Sequence, residues 1–280
     1  WELRNKFPEV QTGICDIRDA QQVANTLRRF NSNVVIIASA MKQVDTCEFQ
    51  PEESVKTNIL GIQNILQAVN DQGSSPLNTV CFVSTDKACC PINVYGMCKS
   101  ISEKLVIGNH NPNVKHVVVR YGNVLNSKGS IVPLLEQQGK NPDIKSLTLT
   151  DSRMTRFMMT LDQSVSLINS AIQHGRNRDI WIPRLDSMRM TDLFSYFGKR
   201  HNKPVEVTGI RPGEKLHELL FNEEESRFVC ETNKGNLVIN REVGPTTDRV
   251  FNLSSEHCVV EPSVLNARLD EFFATGTYRT

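Results

Sequence analysis

Tyr95 and Lys99 stand four residues apart, and Asp86 and Lys87 stand side by side shortly before them, after the apolar run Thr79-Val80-Cys81-Phe82-Val83. Residues at i and i+4 share one helix face. A phenol with its ordinary pKa near ~10 is no base at neutral pH, but a nearby ammonium favours phenolate. Such a pair can take the proton of a sugar hydroxyl while hydride leaves the same carbon for a nicotinamide. By spacing alone it reads equally well as a surface helix with a solvated lysine. Asp86 and Lys87 also admit two readings. Either Thr85 or Asp86 caps the next turn and Lys87 lies in water, or the two form an acid/base couple at a strand end. Lys87 is a competent base only where desolvation or neighbouring cations lower its pKa.

Arg153, Arg156 and Arg211 are candidates for a phosphate clamp, because guanidinium matches phosphate in a bidentate way. Each is also an ordinary candidate for a rim salt bridge. Arg211 opens the turn Arg211-Pro212-Gly213-Glu214-Lys215, and the spacing of Leu216, Leu219 and Leu220 predicts a helix after it. A helix N-terminus there would favour an anion. His217 reads as a packed or surface histidine, since no second metal-type ligand stands at suitable spacing. No metal motif and no Ser/Cys-His-Asp arrangement is found.

The elements that must position these groups alternate along the chain. Val10–Cys15, Val34–Ile37, Thr79–Val83 and His116–Arg120 are strand candidates. Asp19–Phe30, a helix opened by Pro51, and Val94–Val106 are helical patterns between them. Strands apolar along their whole length need cover on both faces, which predicts a doubly wound parallel α/β sheet. Ligands bind such sheets beyond the carboxyl ends of the strands. Asp16-Ile17-Arg18-Asp19, Ser39-Ala40-Met41-Lys42, Ser84-Thr85-Asp86-Lys87 and Tyr121-Gly122-Asn123 would therefore line one edge. In the second half, strands are expected over 146–150, 180–182 and 205–210, with helices over 161–174 and 190–200.

The 280 residues suffice for one large or two modest domains. With 32 basic and 31 acidic residues, net charge gives no case for nucleic acid or an acidic membrane as partner. No apolar stretch approaches the ~18 residues of a membrane span, and the first residues lack the apolar core of a signal peptide. The eight cysteines, scattered with Cys89 and Cys90 adjacent, read as free thiols of a cytoplasmic protein.

Several segments together resemble the extended short-chain dehydrogenase/reductase superfamily, and within it the inverting UDP-N-acetylglucosamine 4,6-dehydratases of surface-glycan synthesis. They are CDIRD (15–19), ASAMKQV (38–44), PEESVKTNILGIQN (51–64), STDKACCPINVYGMCK (84–99), RYGNVLNSKGSIVPLL (120–135), TDSRMTRFMMTLD (150–162) and GIRPGEKLHE (209–218). The resemblance implies a Rossmann-like domain over residues 1–125 and about 153–184. A smaller α/β substrate-binding domain would take about 126–152 and 185–280. It implies NADP, with NAD as the alternative, a UDP-sugar substrate, and a homo-oligomer.

By the same matching, Tyr95 and Lys99 would act at the C4 hydroxyl. Lys87 would remove the C5 proton and Asp86 would protonate the departing C6 hydroxyl, with Thr85 beside them. Asp16 and Ile17 would contact adenine, and Ala38, Lys42 and Ser84 would meet the rest of the cofactor together with Tyr95 and Lys99. Lys42, Asn123 and Ile131, Val132, Pro133, Leu134 and Leu135 would meet the sugar, and Arg156, Arg211 and Glu214 the uridine diphosphate. Two departures stand out. Ile37 occupies a position where the family has His, and no G-x-x-G-x-x-G turn precedes Asp16. Trp1 matches a position roughly 50 residues into the family domain, by the size of a βα unit plus a strand, so a Gly-rich βα unit is expected ahead of it in the natural protein. The rival readings are a non-catalytic nucleotide-sugar module and a 4-epimerase of the same fold.

Overall fold

In the computed structural model, which describes residues 5–275 apart from 72, 74, 126 and 128, the continuous apolar runs become neighbouring strands. The first half runs α1 (Ala20–Phe30), β1 (Val34–Ile37), α2 (Val44–Phe49), α3 (Pro51–Val55), a π turn (Lys56–Leu60) and α4 (Gly61–Asn70). Then come β2 (Thr79–Val83), a 3-10 turn (Asp86–Ala88), α5 (Val94–Ile107) and β3 (Lys115–Val119). The second half continues with β4 (Asn123–Val124), α6 (Ile131–Lys140), β5 (Leu147–Leu149), β6 (Thr155–Met159), α7 (Leu161–His174) and β7 (Ile180–Ile182). It goes on through β8 (Ser187–Arg189), α8 (Met190–His201), β9 (Val205–Val207), β10 (Leu219–Phe221) and α9 (Glu223–Ser226). It ends with β11 (Val229–Glu231), β12 (Leu237–Ile239), β13 (Leu253–Ser254) and α10 (Pro262–Thr275).

The main sheet has the order β1-β2-β3-β7-β12-β11. Its first four strands are parallel, and β12 and β11 add antiparallel. Alternate side chains divide between the two faces, as a pleated strand requires. Val80, Phe82 and Val118 pack with Val23 of α1, Ile62, Ile65, Leu66 and Val69 of α4, and Val106 of α5. Cys81, Val117 and Val119 pack with Leu167 and Ala171 of α7. Both faces are thus covered, and this is the Rossmann-like α/β class expected from the sequence.

A separate core of Leu125, Val132, Leu135, Leu147, Met188, Leu193, Phe197 and Leu269 joins the small sheets β4-β6-β8 and β5-β9 to α6, α8 and α10. The expected division of the chain differs from these pairings at two places. Residues 229–239, assigned to the second unit, complete the main sheet, and β6, assigned to the first, pairs with β8 of the second.

Two local expectations are corrected. Val10–Cys15 forms no strand, and Ile14 is fully exposed. A β-branched run becomes a strand only by pairing its backbone. Among the described residues β1 is the edge of the sheet and this segment pairs with no strand. The helix expected after Arg211 is also absent: residues 211–218 form turns and Leu219–Phe221 is a strand paired with β13. Three apolar residues at helical spacing are too few to distinguish a helix from a short buried strand. The anion-favouring helix end expected beside Arg211 falls with it.

Candidate active site

The polar segments after β1, β2 and β3 meet at the carboxyl edge of the parallel strands. Backbone pairing continues past the strand ends: Ser84 N donates to Val119 O at 2.7 Å and Asp86 N to Tyr121 O at 2.9 Å. Thr85 caps the 3-10 turn, its Oγ1 accepting from Lys87 N and donating to Asp86 Oδ1 at 3.0 Å. Asn93 caps α5 through Gly96 N at 2.7 Å. A Cβ at Gly96 would lie 2.3 Å from Lys87 O, so glycine lets the first turn of α5, which carries Tyr95, lie directly on the turn that carries Lys87. The loop after β1 is pinned by Asn58, in the π turn, which bonds both N and O of Met41.

Asp86 is completely buried, and its Oδ2 has no hydrogen-bond partner. Lys87 Nζ lies 3.1 Å from Asp86 Oδ1, 3.4 Å from Asn123 Oδ1 and 3.3 Å from Glu218 Oε1. Three groups that the resemblance assigns to acid/base chemistry and sugar contact are thereby brought together, with one residue that sequence reasoning missed. Glu218 is 2 % exposed and was quoted only as the end of the GIRPGEKLHE segment. The charge balance follows from burial. Burial, reinforced by Glu218, pushes the Asp86 carboxyl up despite Lys87 and Thr85. Burial acts on Glu218 in the same sense, but Lys87, Arg156 and Lys215 hold it below the usual range. The two carboxyls are thus pushed in opposite directions, Asp86 toward holding a proton and Glu218 toward the charged form. Burial pulls Lys87 down, yet Asp86 and Glu218 outweigh it and hold its pKa above the ordinary lysine value. The lowered pKa expected of a lysine base is absent, and Lys87 stands as an ammonium.

The Tyr95–Lys99 pair is also wired differently from expectation. Burial raises the Tyr95 phenol to about 12, and the cation that opposes this is Lys87. Lys99 is buried, donates to Val83 O at 2.6 Å and lies 3.9 Å from the centre of the Phe82 ring. Burial lowers it to about 7. The shared helix face is present, but the ammonium of Lys99 is turned to the end of β2.

Among the cofactor candidates, Ser84 Oγ is buried without a partner, and Ala38 is exposed just beyond β1. Lys42 is exposed in the following loop. Asp16 is half-buried and its carboxyl is held at about 2 by hydrogen bonds and charge from Arg18. Ile17 packs against Gly61 of α4.

Among the substrate candidates, Val132 and Leu135 are corrected. Both are 1 % exposed in the second core, so of the five candidates on that helix Ile131, Pro133 and Leu134 keep solvent contact. Arg156 is no free clamp either: it donates to the carbonyls of Thr155, Leu216 and Lys215, holding the 211–218 loop against β6. Arg211 and Glu214 pair with each other at 3.0 Å, and the exposed Arg153 pairs with Asp151. His217 is packed as expected, its Nδ1 2.9 Å from Thr155 Oγ1. A cavity of about 590 Å³ between β5, β9 and α8 contains none of these groups. All eight cysteines are free thiols, and among the described residues no helix is long and apolar enough to cross a membrane.

A family model described as polysaccharide biosynthesis protein matches residues 2–239. The chain belongs to that family. Proteins similar to it include a UDP-N-acetylglucosamine 4,6-dehydratase (inverting) of Campylobacter jejuni, 37 % identical over 237 residues. That match covers 82 % of this chain and 69 % of the relative, and a second C. jejuni protein of the same name is matched over 64 % of its length. A UDP-glucose 4-epimerase of Rickettsia bellii is 37 % identical over 224 residues, 78 % of this chain and 64 % of that protein. The chain thus spans about two thirds of the length of these relatives. Among solved structures, Pen from Bacillus thuringiensis superposes with a TM-score of 0.87 at 30 % identity, over 96 % of this chain and 84 % of that one.

Proposed function

We propose that this chain carries the catalytic region of an NADP- or NAD-dependent UDP-N-acetylglucosamine 4,6-dehydratase, a lyase that inverts C5 and forms a 4-keto-6-deoxy product. The observation that carries the reading is the buried Asp86–Lys87–Glu218 cluster beside Tyr95, with Asp86 Oδ2 unpaired. A reaction confined to C4 needs the tyrosine; a second, sealed acid/base centre beside it has work only where a further proton and a leaving group are involved.

The end of β2 fits a nicotinamide nucleotide. Ser84 Oγ is a buried polar group without a partner, and Lys99 holds its ammonium at the mouth of the strand with one carbonyl in reach. Ser84, Tyr95 and Lys99 would hold the reactive half, with Ala38, Lys42, Asp16 and Ile17 along the rest. Such a group supplies the oxidation of C4 and the return of hydride at C6, so net redox is zero. The chain's own residues move protons. Tyr95 takes the proton of the C4 hydroxyl as a phenolate, a form that a bound cationic nicotinamide together with Lys87 would have to favour against the burial that raises its pKa, and the ketone that forms acidifies C5–H. Lys87, whose side chain is 18 % exposed, releases one ammonium proton to solvent water and then takes the C5 proton; a solvent proton adds to the opposite face of C5 as hydride reaches C6. Asp86, whose hold on a proton is strengthened by burial, donates that proton to the C6 hydroxyl, which leaves as water. Asn123 orients Lys87, and Ile131, Pro133 and Leu134 face the sugar, with Arg211 and Glu214 toward the diphosphate.

Relatives named as 4-epimerases match at the same identity as the dehydratase. The two reactions part at C6, and product analysis separates them. The full-length protein, given UDP-N-acetylglucosamine, is expected to yield a product that has lost the C6 oxygen. A C4 epimer that retains it would overturn the dehydratase reading.

A further inference from the structure

Glu218 is the one fully enclosed carboxylate at the site to which neither the family resemblance nor the relatives' names give a role. It reaches the cluster from the loop before β10, where its own N donates to Ser255 Oγ and its carbonyl accepts from Ser255 N. Its Oε1 lies 3.3 Å from Lys87 Nζ, while its Oε2 makes no hydrogen bond and has Lys215 Nζ at 3.6 Å. The groups that face it are Lys87 and Asp86 from the turn after β2, Arg156 from β6 and Lys215 from its own loop. That loop is tied to the same turn a second time, by Lys215 Nζ on Cys89 O at 2.7 Å, and to the start of α5 by Asn93 Nδ2 on Gly213 O at 2.8 Å. The residues expected at the diphosphate, Arg211 and Glu214, are thus on one continuous loop with the carboxylate that touches the acid/base lysine.

We infer that Glu218 is a positioning residue: it is the counter-ion that anchors the Lys87 ammonium and thereby governs when Lys87 gives up a proton and can accept one from the substrate. This deepens the dehydratase reading and rests on it. An ammonium held between two carboxylates in a buried site keeps its protons, because each opposite charge nearby favours the charged form.

Glu218→Gln keeps shape and removes the charge, and Glu218→Asp keeps the charge at shorter reach. Nitrogen-15 NMR of the lysine ammonium in the full-length protein without substrate, with Lys87 assigned through Lys87→Arg, reads the anchor directly. Exchange of the Lys87 ammonium protons with water is expected to accelerate at least ~tenfold in Glu218→Gln, the equivalent of one pKa unit, and to recover in part in Glu218→Asp. In parallel, the pH profile of solvent-deuterium entry at C5 is expected to move about one unit toward acid in Glu218→Gln. C4 oxidation, followed by cofactor reduction, is expected to stay within about threefold. Unchanged ammonium exchange in Glu218→Gln overturns the inference, as does an unshifted C5 profile or a joint loss of both steps that Glu218→Asp does not rescue. Faster ammonium exchange in a protein whose wild type shows no C5 exchange would overturn the dehydratase reading and leave the counter-ion assignment standing.

Discussion

Two buried charge clusters sit at the ends of adjacent strands, and their wiring differs in a way that separates structure from chemistry. At the end of β3, Arg120 spends all its donors: it pairs with both oxygens of Glu103 on α5 and both oxygens of Glu225 on α9, and also donates to Leu220 O. All three side chains are buried, and no atom is left over. At the end of β2, Asp86 Oδ2 and Glu218 Oε2 lack hydrogen bonds although both residues are enclosed. A closed network fixes helix against sheet; an open one in the same dielectric holds unspent affinity for a proton or a ligand.

Asp86→Asn breaks the comparison on the open side. It keeps shape and replaces a carboxyl whose charged form burial disfavours, so unfolding free energy should change by less than about 1 kcal/mol, while dehydratase turnover should fall by roughly 10²–10⁴. Denaturant unfolding beside turnover checks both halves. Arg120→Met tests the closed side with the opposite pattern. Leaving Glu103 and Glu225 as unpaired buried carboxylates should cost about 3–5 kcal/mol of stability, read from the same unfolding curves. An Arg120→Met protein as stable as the parent would mean that the triad does not hold α5 and α9 to the sheet.

His116 sharpens the contrast with a smaller effect. It is fully buried in β3 with both ring nitrogens unpaired, yet it lies at the strand end away from the site. Burial depresses its pKa, so the folded state keeps it neutral. The unfolded chain binds the proton first, near ~6.5, and stability should therefore be intact above that pH and decline as pH falls below it. His116→Leu should flatten this acid slope in melting experiments without altering turnover. An unpaired buried atom marks chemistry only where charged partners and a substrate path come with it.

Much of this was legible in the residues. Thr79–Val83 and His116–Val119 are strands because continuous apolar runs are buried on both faces, Val34–Ile37 joins them at the edge with Ile36 half exposed, and the turns after all three had to share one edge. Val10–Cys15 was not legible as a loop, because strand formation depends on a partner that local sequence does not reveal. Glu218 was hidden for a similar reason: a charged residue in a loop has no period, and only the tertiary approach to Lys87 gives it meaning. The state of Lys87 was equally out of reach, since it depends on how two carboxylates far apart in sequence are enclosed with it.

The most direct test of the second acid/base centre is turnover of UDP-N-acetylglucosamine by the full-length protein in D₂O, with the product resolved by NMR. A 4-keto-6-deoxy sugar carrying deuterium at an inverted C5 is the expected result. A product that retains its C6 oxygen and its C5 proton, altered only at C4, would contradict it.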